Sequence, residues 1–227
     1  LWDELKTLDP DNSVLHEVGP EPLPGTVKVE HIFPMRSLDK GTTDEDIIHF
    51  VTQSTFGGKQ YLAQPKLDGS ALSLEYVAGN LHRAATRGSG ERGEDVTLNA
   101  KLIANIPLRL NIPVDCHVRG EVVMPLAVFE EKYRTVSPNP RNLCSGALRQ
   151  KHGDGKADAA DLVFCAYDVK FVDEKPAADN DSELLSWLQK AGIEPAPWTI
   201  FSSNIPHAEM IEHTKEWSKK RDNFEYE

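Results

Sequence analysis

The sequence predicts an α+β domain built on an antiparallel sheet. Short runs rich in β-branched and aromatic residues are bounded by Gly, Pro and Asn, which is typical of strands separated by turns. Two of these runs are joined by Ala78-Gly79-Asn80, a pattern that indicates a β-hairpin. Helical patterns are interspersed among the strands without the regular βαβ alternation of a parallel sheet.

The central elements are predicted from hydrophobic periodicity and turn residues. Strands are expected at residues 62–64, 70–77, 81–87, 117–124 and 162–169, and helices at 126–136 and 141–150.

Two later helices are predicted from their terminal residues. The segment DSELLSWLQKAG has Asp181 or Ser182 as its N-cap, leucines at helical spacing and Gly192 as its stop. Pro206 opens a last helix, which we expect to extend through about Arg221.

The ends of the chain differ from its main body. Leu1, Leu5 and Leu8 are spaced like the tail of a helix, and a Pro- and Gly-rich stretch follows them. We therefore expect residues 1–25 to form the end of a helical module and a linker, and residues 26–227 to form the main domain. The last residues have the pattern of an approach to a new strand, which predicts that the domain is truncated before its last strands.

Composition narrows the class of protein. With 39% hydrophobic and 27% charged residues, the chain has the composition of a soluble globular domain. It has no apolar run of the roughly 18 residues that a membrane span needs and no signal-peptide pattern at its start, which predicts a cytoplasmic protein with no membrane partner. Cys116, Cys144 and Cys165 are odd in number and widely spaced, a pattern that fits buried thiols better than disulfides or a zinc site.

The net charge of −11 has the wrong sign for a protein that holds nucleic acid by bulk charge. If nucleic acid is a partner, local clusters of Lys and Arg or further domains must supply the attraction.

The first motif that suggests chemistry is QPKLDGSA. In an extended segment Gln64 and Lys66 point to the same side, and Asp68 follows if the strand persists. Pro65 indicates a strand edge or kink, and Gly69 allows the backbone to approach a ligand closely. When this motif is taken alone, a surface strand end with a Lys–Asp pair explains it better than a catalytic lysine does.

Three further segments add to the first. ATRGSGERGEDVTLN is a glycine-rich loop that can wrap a phosphate-bearing ligand, with Arg87 leaving the end of a strand, although a solvated hairpin has the same composition. Arg119 and Glu121 lie on one face of a strand, as they also would in a half-exposed sheet. Arg141 and Arg149 are two helical turns apart and can hold phosphates or pair with acidic helices.

Taken in order, these segments resemble the adenylation (nucleotidyltransferase) domain of NAD-dependent DNA ligases. HIFPMRSLDK before the lysine motif and RDNFEYE at the end match flanking segments of that family. The K-x-D-G motif is shared with ATP-dependent ligases and RNA capping enzymes, whereas the TRG and NPRN blocks are distinctive of the NAD-dependent family. The resemblance implies an antiparallel-sheet nucleotidyltransferase fold like that of DNA ligases and mRNA capping enzymes.

The resemblance also implies a reaction and its reactants. A lysine attacks the α-phosphate of NAD with the help of Mg²⁺, AMP passes to the 5′-phosphate of nicked double-stranded DNA, and the 3′-hydroxyl seals the nick during replication and repair. Lysine suits this role because its amine can lose a proton and form a phosphoramidate. By similarity Lys66 is the nucleophile, and Asp68 orients it or its metal environment. No residue is assigned as a metal ligand.

Further roles follow from the same resemblance. Ser37 and Leu38 match a segment that lines the nucleotide pocket, Arg87 an arginine near the ribose and phosphate, and Glu121 an acid that contacts the ribose. Gln64 stands where the family usually has a glutamate; its amide can accept from the adenine amino group and donate elsewhere, but carries no charge.

Three arginines match basic residues of the family. Arg141 and Arg149 correspond to the nucleotide and nick-phosphate surface. Arg221 corresponds to a residue that positions NAD or DNA. It ends a stripe at helical spacing, formed with Met210, Thr214 and Trp217, that we expect to face inward. A helix-end cation favoured by the dipole is the alternative for Arg221.

Two hypotheses from different classes remain open at this point. The chain is either the adenylation core of a ligase, completed by missing C-terminal domains or by a second chain as one half of a split enzyme, or a catalytically weak module that binds nucleotides or nicks. The lysines that the family carries past Glu227 are absent here, so we expect the chain alone to be incompetent. Retention of a nucleophile favours the enzyme.

Overall fold

The computed structural model describes residues 27–53, 60–150, 156–172, 178, 180–202 and 206–219. Its strands are β1 (Lys28–Glu30), β2 (Gln60–Ala63), β3 (Ser70–Val77), β4 (Asn80–Thr86), β5 (Arg92–Glu94), β6 (Cys116–Val123), β7 (Val163–Phe171) and β8 (Thr199–Ser202). Its α-helices are α1 (Asp44–Gln53), α2 (Thr97–Ala100), α3 (Leu126–Val128), α4 (Pro140–Arg149), α5 (Asp181–Ala191) and α6 (His207–Lys219). The helical remnant and linker predicted at residues 1–25 lie outside the described residues.

A four-stranded antiparallel sheet in the order β4-β3-β6-β7 forms the centre of the fold. The turn between β3 and β4 has positive φ values at Ala78 and Gly79, 46° and 76°, as in the two-residue turns that match the twist of a hairpin. Two smaller antiparallel pairs, β1 with β5 and β2 with β8, complete the strands. The predicted α+β class with an antiparallel sheet is confirmed.

One face of the central sheet is apolar. Leu72, Leu74 and Tyr76 of β3 alternate toward this face and are almost completely buried, together with Val118 and Val122 of β6. Buried leucines of α4 and α5 pack against them and form the main core. Burial of this face holds the four strands in one register, because a slip by one residue would expose every apolar side chain.

The opposite face, called here the polar face, carries charged side chains at matching positions of neighbouring strands. Glu75 lies opposite Arg83 in β4 and opposite His117 in β6, and Arg119 and Glu121 follow along β6 on the same side. Arg83 and Glu75 form an ion pair of 2.7 Å. The sequence prediction that Arg119 and Glu121 share a face opposite the valines is confirmed.

A segment that we call the strap, residues 28–37, crosses the polar face. Its β1 strand pairs with β5. Further along, the Arg119 guanidinium donates a hydrogen bond of 2.6 Å to the carbonyl oxygen of Phe33, whose ring meets that of His117 edge to face. The strap therefore covers part of the polar face.

The ends of α5 show how well the helix signals predict structure. Gly192 ends the helix in a left-handed conformation with φ 92°, as predicted. The N-cap, however, is Asn180, whose side chain accepts a hydrogen bond from the backbone N–H of Glu183. The prediction of Asp181 or Ser182 as the cap was wrong because the chain is still extended at Asn180 and becomes helical immediately after it.

Two other helix predictions need correction. The predicted helix at 126–136 begins as α3 but continues as a π-helical turn, Phe129–Tyr133. Helix α6 begins directly after Pro206 as predicted, with Met210 buried, but Thr214 is exposed, so the inward-facing stripe does not extend to it. Arg221 lies outside the described residues.

The three cysteines are buried and unpaired, as the sequence predicts. Within the part of the chain that the structure describes, no helix is both long and apolar enough to cross a membrane. The cellular location stays a prediction.

Candidate functional site

The segment from Pro65 to Gly69, called here the lysine loop, is held by its buried residues. Leu67 packs in a small apolar cluster with Val123 and Cys165. A Cβ on Gly69 would overlap the backbone oxygen of Val122, so the loop lies directly against β6. Because alternate residues face opposite sides, burial of Leu67 leaves Lys66 and Asp68 exposed on the other side.

Glu121 lies next to the lysine loop on the polar face. Burial raises the pKa of its carboxyl to about 7, and a hydrogen bond from the Gly69 backbone together with the positive charges of Lys66, Arg141 and Arg87 partly opposes this rise. The three cations are therefore near enough to Glu121 to influence the pKa of its carboxyl group. Four charged residues predicted from separate segments thus influence one another in the folded chain.

Arg87 follows the last residue of β4 and holds the end of the strap. Its Nε donates to the carbonyl oxygen of Met35 at 3.2 Å, and its Nη2 donates to Oγ of Ser37 at 2.9 Å. Leu38 follows with its side chain 82% exposed. Ser37 is thus held at the site by its hydrogen bond from Arg87. Leu38 lies next to it and is exposed to solvent.

Arg141 lies in the first turn of α4 and reaches the lysine loop. Its Nη1 is 2.7 Å from Oδ1 of Asp68. Both side chains of this ion pair are exposed, 61% for Arg141 and 50% for Asp68. Exposed pairs of this kind contribute about 0–1 kcal/mol, so either partner can exchange the other for a ligand at little cost. Asp68 and Arg141 are therefore available for substrate contacts.

Arg149 lies at the other end of α4 and has a different environment. Its Nε pairs with Oε2 of Glu94 in β5 at 2.5 Å, and its Nη1 donates to Oγ of Ser145. The Glu94 side chain is only 4% accessible. Arg149 therefore connects α4 to the strand that ends the glycine-rich loop.

Gln64 directly follows β2 and is partly buried. Its side-chain Nε2 is buried and has no hydrogen-bond partner among the described residues. A buried amide donor without a partner is uncommon in a folded protein.

Tyr167 also belongs to the polar face. The pairing of β6 with β7 shifts by one residue between Arg119 and Gly120, and this β-bulge leaves Tyr167 without an opposite residue. Burial raises the pKa of its phenol to about 12, the charge of Glu121 adds to this rise, and Arg119 opposes it. The residue is 37% exposed, so an aromatic ring borders the charged cluster and remains accessible.

Comparison with protein families gives one match over most of the chain. Residues 25–227 match the model of the NAD-dependent DNA ligase adenylation domain. The chain belongs to this family.

Relatives of this adenylation domain are bacterial proteins named DNA ligase. One from Nitrobacter hamburgensis is 39% identical over 203 residues, which cover 82% of this chain and 28% of the relative. One from Fervidobacterium nodosum is 36% identical over 234 residues, which cover 99% of this chain and 33% of the relative. The chain thus spans about a third of the length of these curated relatives. A solved structure titled "Pmar-Lig_Pre." has a TM-score of 0.45 at 13% identity, over 78% of this chain and 39% of that chain, too low a likeness to support a conclusion.

The adenylation domain brings most of its sequence-predicted site residues together. The positive charges of Lys66, Arg87 and Arg141 act on the carboxyl group of Glu121, and Asp68 joins them through its ion pair with Arg141. These five residues are called the lysine site below.

The remaining site predictions have different outcomes. Arg149 forms an ion pair with the buried carboxylate of Glu94 and does not extend from an open surface. Glu94 lies in strand β5, so the predicted pairing with an acidic helix is not observed. Tyr167 was missed by the sequence reasoning. The sequence signal was the pair Tyr167-Asp168, which places two residues between the buried Ala166 and Val169 where strict alternation allows one. Such an extra residue is typical of a β-bulge.

Proposed function

We propose that this chain is the adenylation core of an NAD-dependent DNA ligase. The observation that supports it is an exposed lysine on a loop packed against β6, whose charge acts on the Glu121 carboxyl together with those of Arg87 and Arg141. The Lys66 amine, after loss of a proton, attacks the α-phosphorus of NAD. The new N–P bond forms as the P–O bond of the pyrophosphate breaks, and nicotinamide mononucleotide leaves with that oxygen. AMP then passes to the 5′-phosphate of a DNA nick, and the 3′-hydroxyl displaces it.

The two arginines supply the electrostatic part of this step. Charge moves onto the phosphate oxygens as the pyrophosphate linkage breaks, and preorganised cations stabilise such charge without reorganising. Arg87 is fixed by two hydrogen bonds to the strap, whereas the contact of Arg141 among the described residues is an exposed pair with Asp68. We therefore assign Arg87 to a fixed contact with the nucleotide and Arg141 to contacts that form as reactants bind.

The nucleoside half of NAD fits the other side chains of the polar face. A base can stack on the accessible ring of Tyr167, because every base has a π-face. A carboxyl group with a pKa of about 7 is present in both protonation states near neutral pH, so Glu121 can accept from or donate to a ribose hydroxyl.

The site is suited to Mg²⁺ that enters bound to the phosphates of the substrate. The described residues contain no cluster of three or more His, Cys, Asp or Glu that could hold a metal by themselves. Mg²⁺ is commonly bound by substrate phosphates and one or two carboxylates, and it would supply charge neutralisation on the phosphates. The exposed carboxylate of Asp68 is suited to hold it, and Arg141 would then be released.

Nicked double-stranded DNA is the proposed acceptor of AMP. The net charge of −11 opposes binding by bulk charge, and the exposed Arg141 at the lysine site offers a local contact for a DNA phosphate. We propose that further domains or a partner chain supply the rest of the DNA-binding surface.

The test is mass spectrometry of the protein after incubation with NAD and Mg²⁺. We expect AMP on Lys66 in a version extended past Glu227, no AMP on the 227-residue chain alone, and none on the extended Lys66→Ala variant. ATP in place of NAD should give no labelling. Equal labelling of the Lys66→Ala variant would contradict the assignment of the nucleophile, and robust labelling from ATP would contradict NAD as the donor.

A further inference from the structure

Tyr167 lies at an irregular point of strand β7, between two residues that are held in place. Before it, Ala166 is held on both edges of the strand, by pairing with β6 and by backbone hydrogen bonds with the segment 194–196. After it, Asp168 lies opposite Arg119 of β6. Tyr167 itself has no opposite residue in β6, because a β-bulge leaves its extra residue unpaired. The direction of the tyrosine ring therefore depends on how Asp168 is held.

Arg119 and Asp168 form an ion pair across the two strands. Nη1 of Arg119 is 3.5 Å from Oδ2 of Asp168, and the two side chains are only 12% and 25% accessible. The other carboxylate oxygen of Asp168 is 3.2 Å from Nζ of Lys170, whose side chain is 45% accessible. Solvent screens a partly buried pair less than an exposed one, so Arg119 is the stronger partner of Asp168.

The same guanidinium connects the bulge to the strap. Nη2 of Arg119 donates a hydrogen bond of 2.6 Å to the carbonyl oxygen of Phe33. Further along the strap, Arg87 donates to the carbonyl oxygen of Met35. The bulge that carries Tyr167 and the arginine assigned to the nucleotide are thus connected to one segment of the chain.

We propose that Arg119 and Asp168 are positioning residues for nucleotide binding, because they hold Tyr167 in the orientation in which its ring stacks on the base. This inference rests on the proposed function, in which Tyr167 binds the base. The physical reason is preorganisation. A ring that the protein already holds loses less freedom on binding than a ring that the ligand must order, so the affinity is higher. Neither Arg119 nor Asp168 needs to touch the nucleotide for this effect.

The experiment is titration of AMP, and of ribose 5-phosphate as the same ligand without its base, into the wild-type chain and the Asp168→Asn variant. Asp168→Asn keeps the shape of the side chain and removes the charge that pairs with Arg119. We expect the affinity for AMP to fall by about 3- to 10-fold and that for ribose 5-phosphate to stay within about 2-fold, because only the base depends on Tyr167. Lys170→Met is the matched control. It removes the more accessible partner of Asp168 and should change neither affinity by more than about 2-fold.

A double-mutant cycle with Tyr167→Leu separates positioning from a general loss of stability. In the Tyr167→Leu background, adding Asp168→Asn should lower the affinity for AMP by less than about 2-fold, since no ring remains to be positioned. Arg119→Lys keeps the charge but not the planar fork that reaches both Asp168 and Phe33, and it should follow the same pattern. Urea unfolding identifies any variant that does not fold, and the cycle with Arg119→Lys decides the question if Asp168→Asn is such a variant.

The outcomes separate this inference from the proposed function. An unchanged affinity for AMP, an equal loss for AMP and ribose 5-phosphate, or the same loss in the Tyr167→Leu background would overturn the positioning role and leave the ligase assignment unaffected. If Tyr167→Leu binds AMP as tightly as the wild type, the ring does not contact the base, and this inference fails with that contact. If the wild-type chain binds neither ligand, the site assignment itself is wrong.

Discussion

Glu121 has a carboxyl group whose charge changes near neutral pH, because burial raises its pKa from 4.5 to about 7. Between these two values the folded protein holds a proton that the unfolded chain releases. The free energy of unfolding therefore decreases as the pH rises through this window.

The Glu121→Gln substitution removes this dependence, because an amide does not ionise. We expect the variant to gain stability over the wild type at pH 8, by up to about 3 kcal/mol at 1.36 kcal/mol for each unit of pKa, and to gain little at pH 4. Urea unfolding at the two pH values measures the difference. A gain of the same size at both would contradict the raised pKa.

Tyr167 is expected to bind the adenine base through its ring and not through its hydroxyl. Stacking of a base on an aromatic side chain contributes about 1–3 kcal/mol, so Tyr167→Leu should weaken AMP binding by roughly 5- to 100-fold. Tyr167→Phe keeps the ring and is the matched control, with affinity expected to stay within about 3-fold of the wild type. Calorimetric titration with AMP distinguishes the variants. Similar losses in Leu and Phe variants would assign the contact to the hydroxyl.

The residues of the lysine site could be predicted because their motifs are local. Lys66, Asp68 and Arg87 lie in short segments that are ambiguous one by one, but their order along the chain resembles a single family. Tyr167 could not be predicted in the same way, because only the shifted pairing of two strands turns it toward Glu121.

At the scale of the element, the lysine loop depends on close packing against β6. A Cβ at Gly69 would overlap the backbone of Val122, which cannot move without shifting the strand that carries Glu121. We expect Gly69→Ala to cost about 2 kcal/mol or more in the free energy of unfolding and to weaken AMP binding.

Gly146 provides the control for that substitution. It lies inside α4, is exposed, and a Cβ there would meet nothing within 4 Å. Gly146→Ala should therefore stabilise the protein by about 0.5–1 kcal/mol through helix propensity. Urea unfolding of both variants tests the pair. A Gly69→Ala protein as stable as the wild type would show that the loop is not fixed as described.

Element length decided which parts of the fold were predictable. The long strands β3, β4 and β6 have seven or eight residues, enough to show alternation, and were predicted within about one residue of their observed ends. The strands β1 and β5 have three residues each and form only by pairing with one another across the chain. No local pattern of that length distinguishes a strand from a loop.

Helix α1 was missed for another reason, since its signal was present in the sequence. Oγ1 of Thr43 accepts from the backbone N–H of Asp46, and the Asp46 carboxylate accepts from the backbone N–H of Thr43. This reciprocal pair resembles a capping box with aspartate at the third position. The spacing Thr-x-x-Asp before an apolar run would have predicted the start of the helix.

At the scale of the whole molecule, the net charge of −11 limits what the chain can hold alone. We expect the 227-residue chain to bind nicked duplex DNA no more tightly than the non-specific range of about 10⁻⁴–10⁻⁶ M at physiological salt. Fluorescence anisotropy with a nicked and an intact duplex measures this. Nanomolar binding that distinguishes the nick would show that the chain needs no further DNA-binding surface.

The strap is held to the polar face mainly through its own backbone. The side chains of Arg119 and Arg87 donate to the carbonyl oxygens of Phe33 and Met35, and every amino acid offers that same oxygen. Substitution along the strap therefore leaves these two contacts available, whereas loss of either arginine removes one. Over evolutionary time the sequence of the strap can therefore change more freely than Arg119 and Arg87, and an alignment of the family should show that contrast.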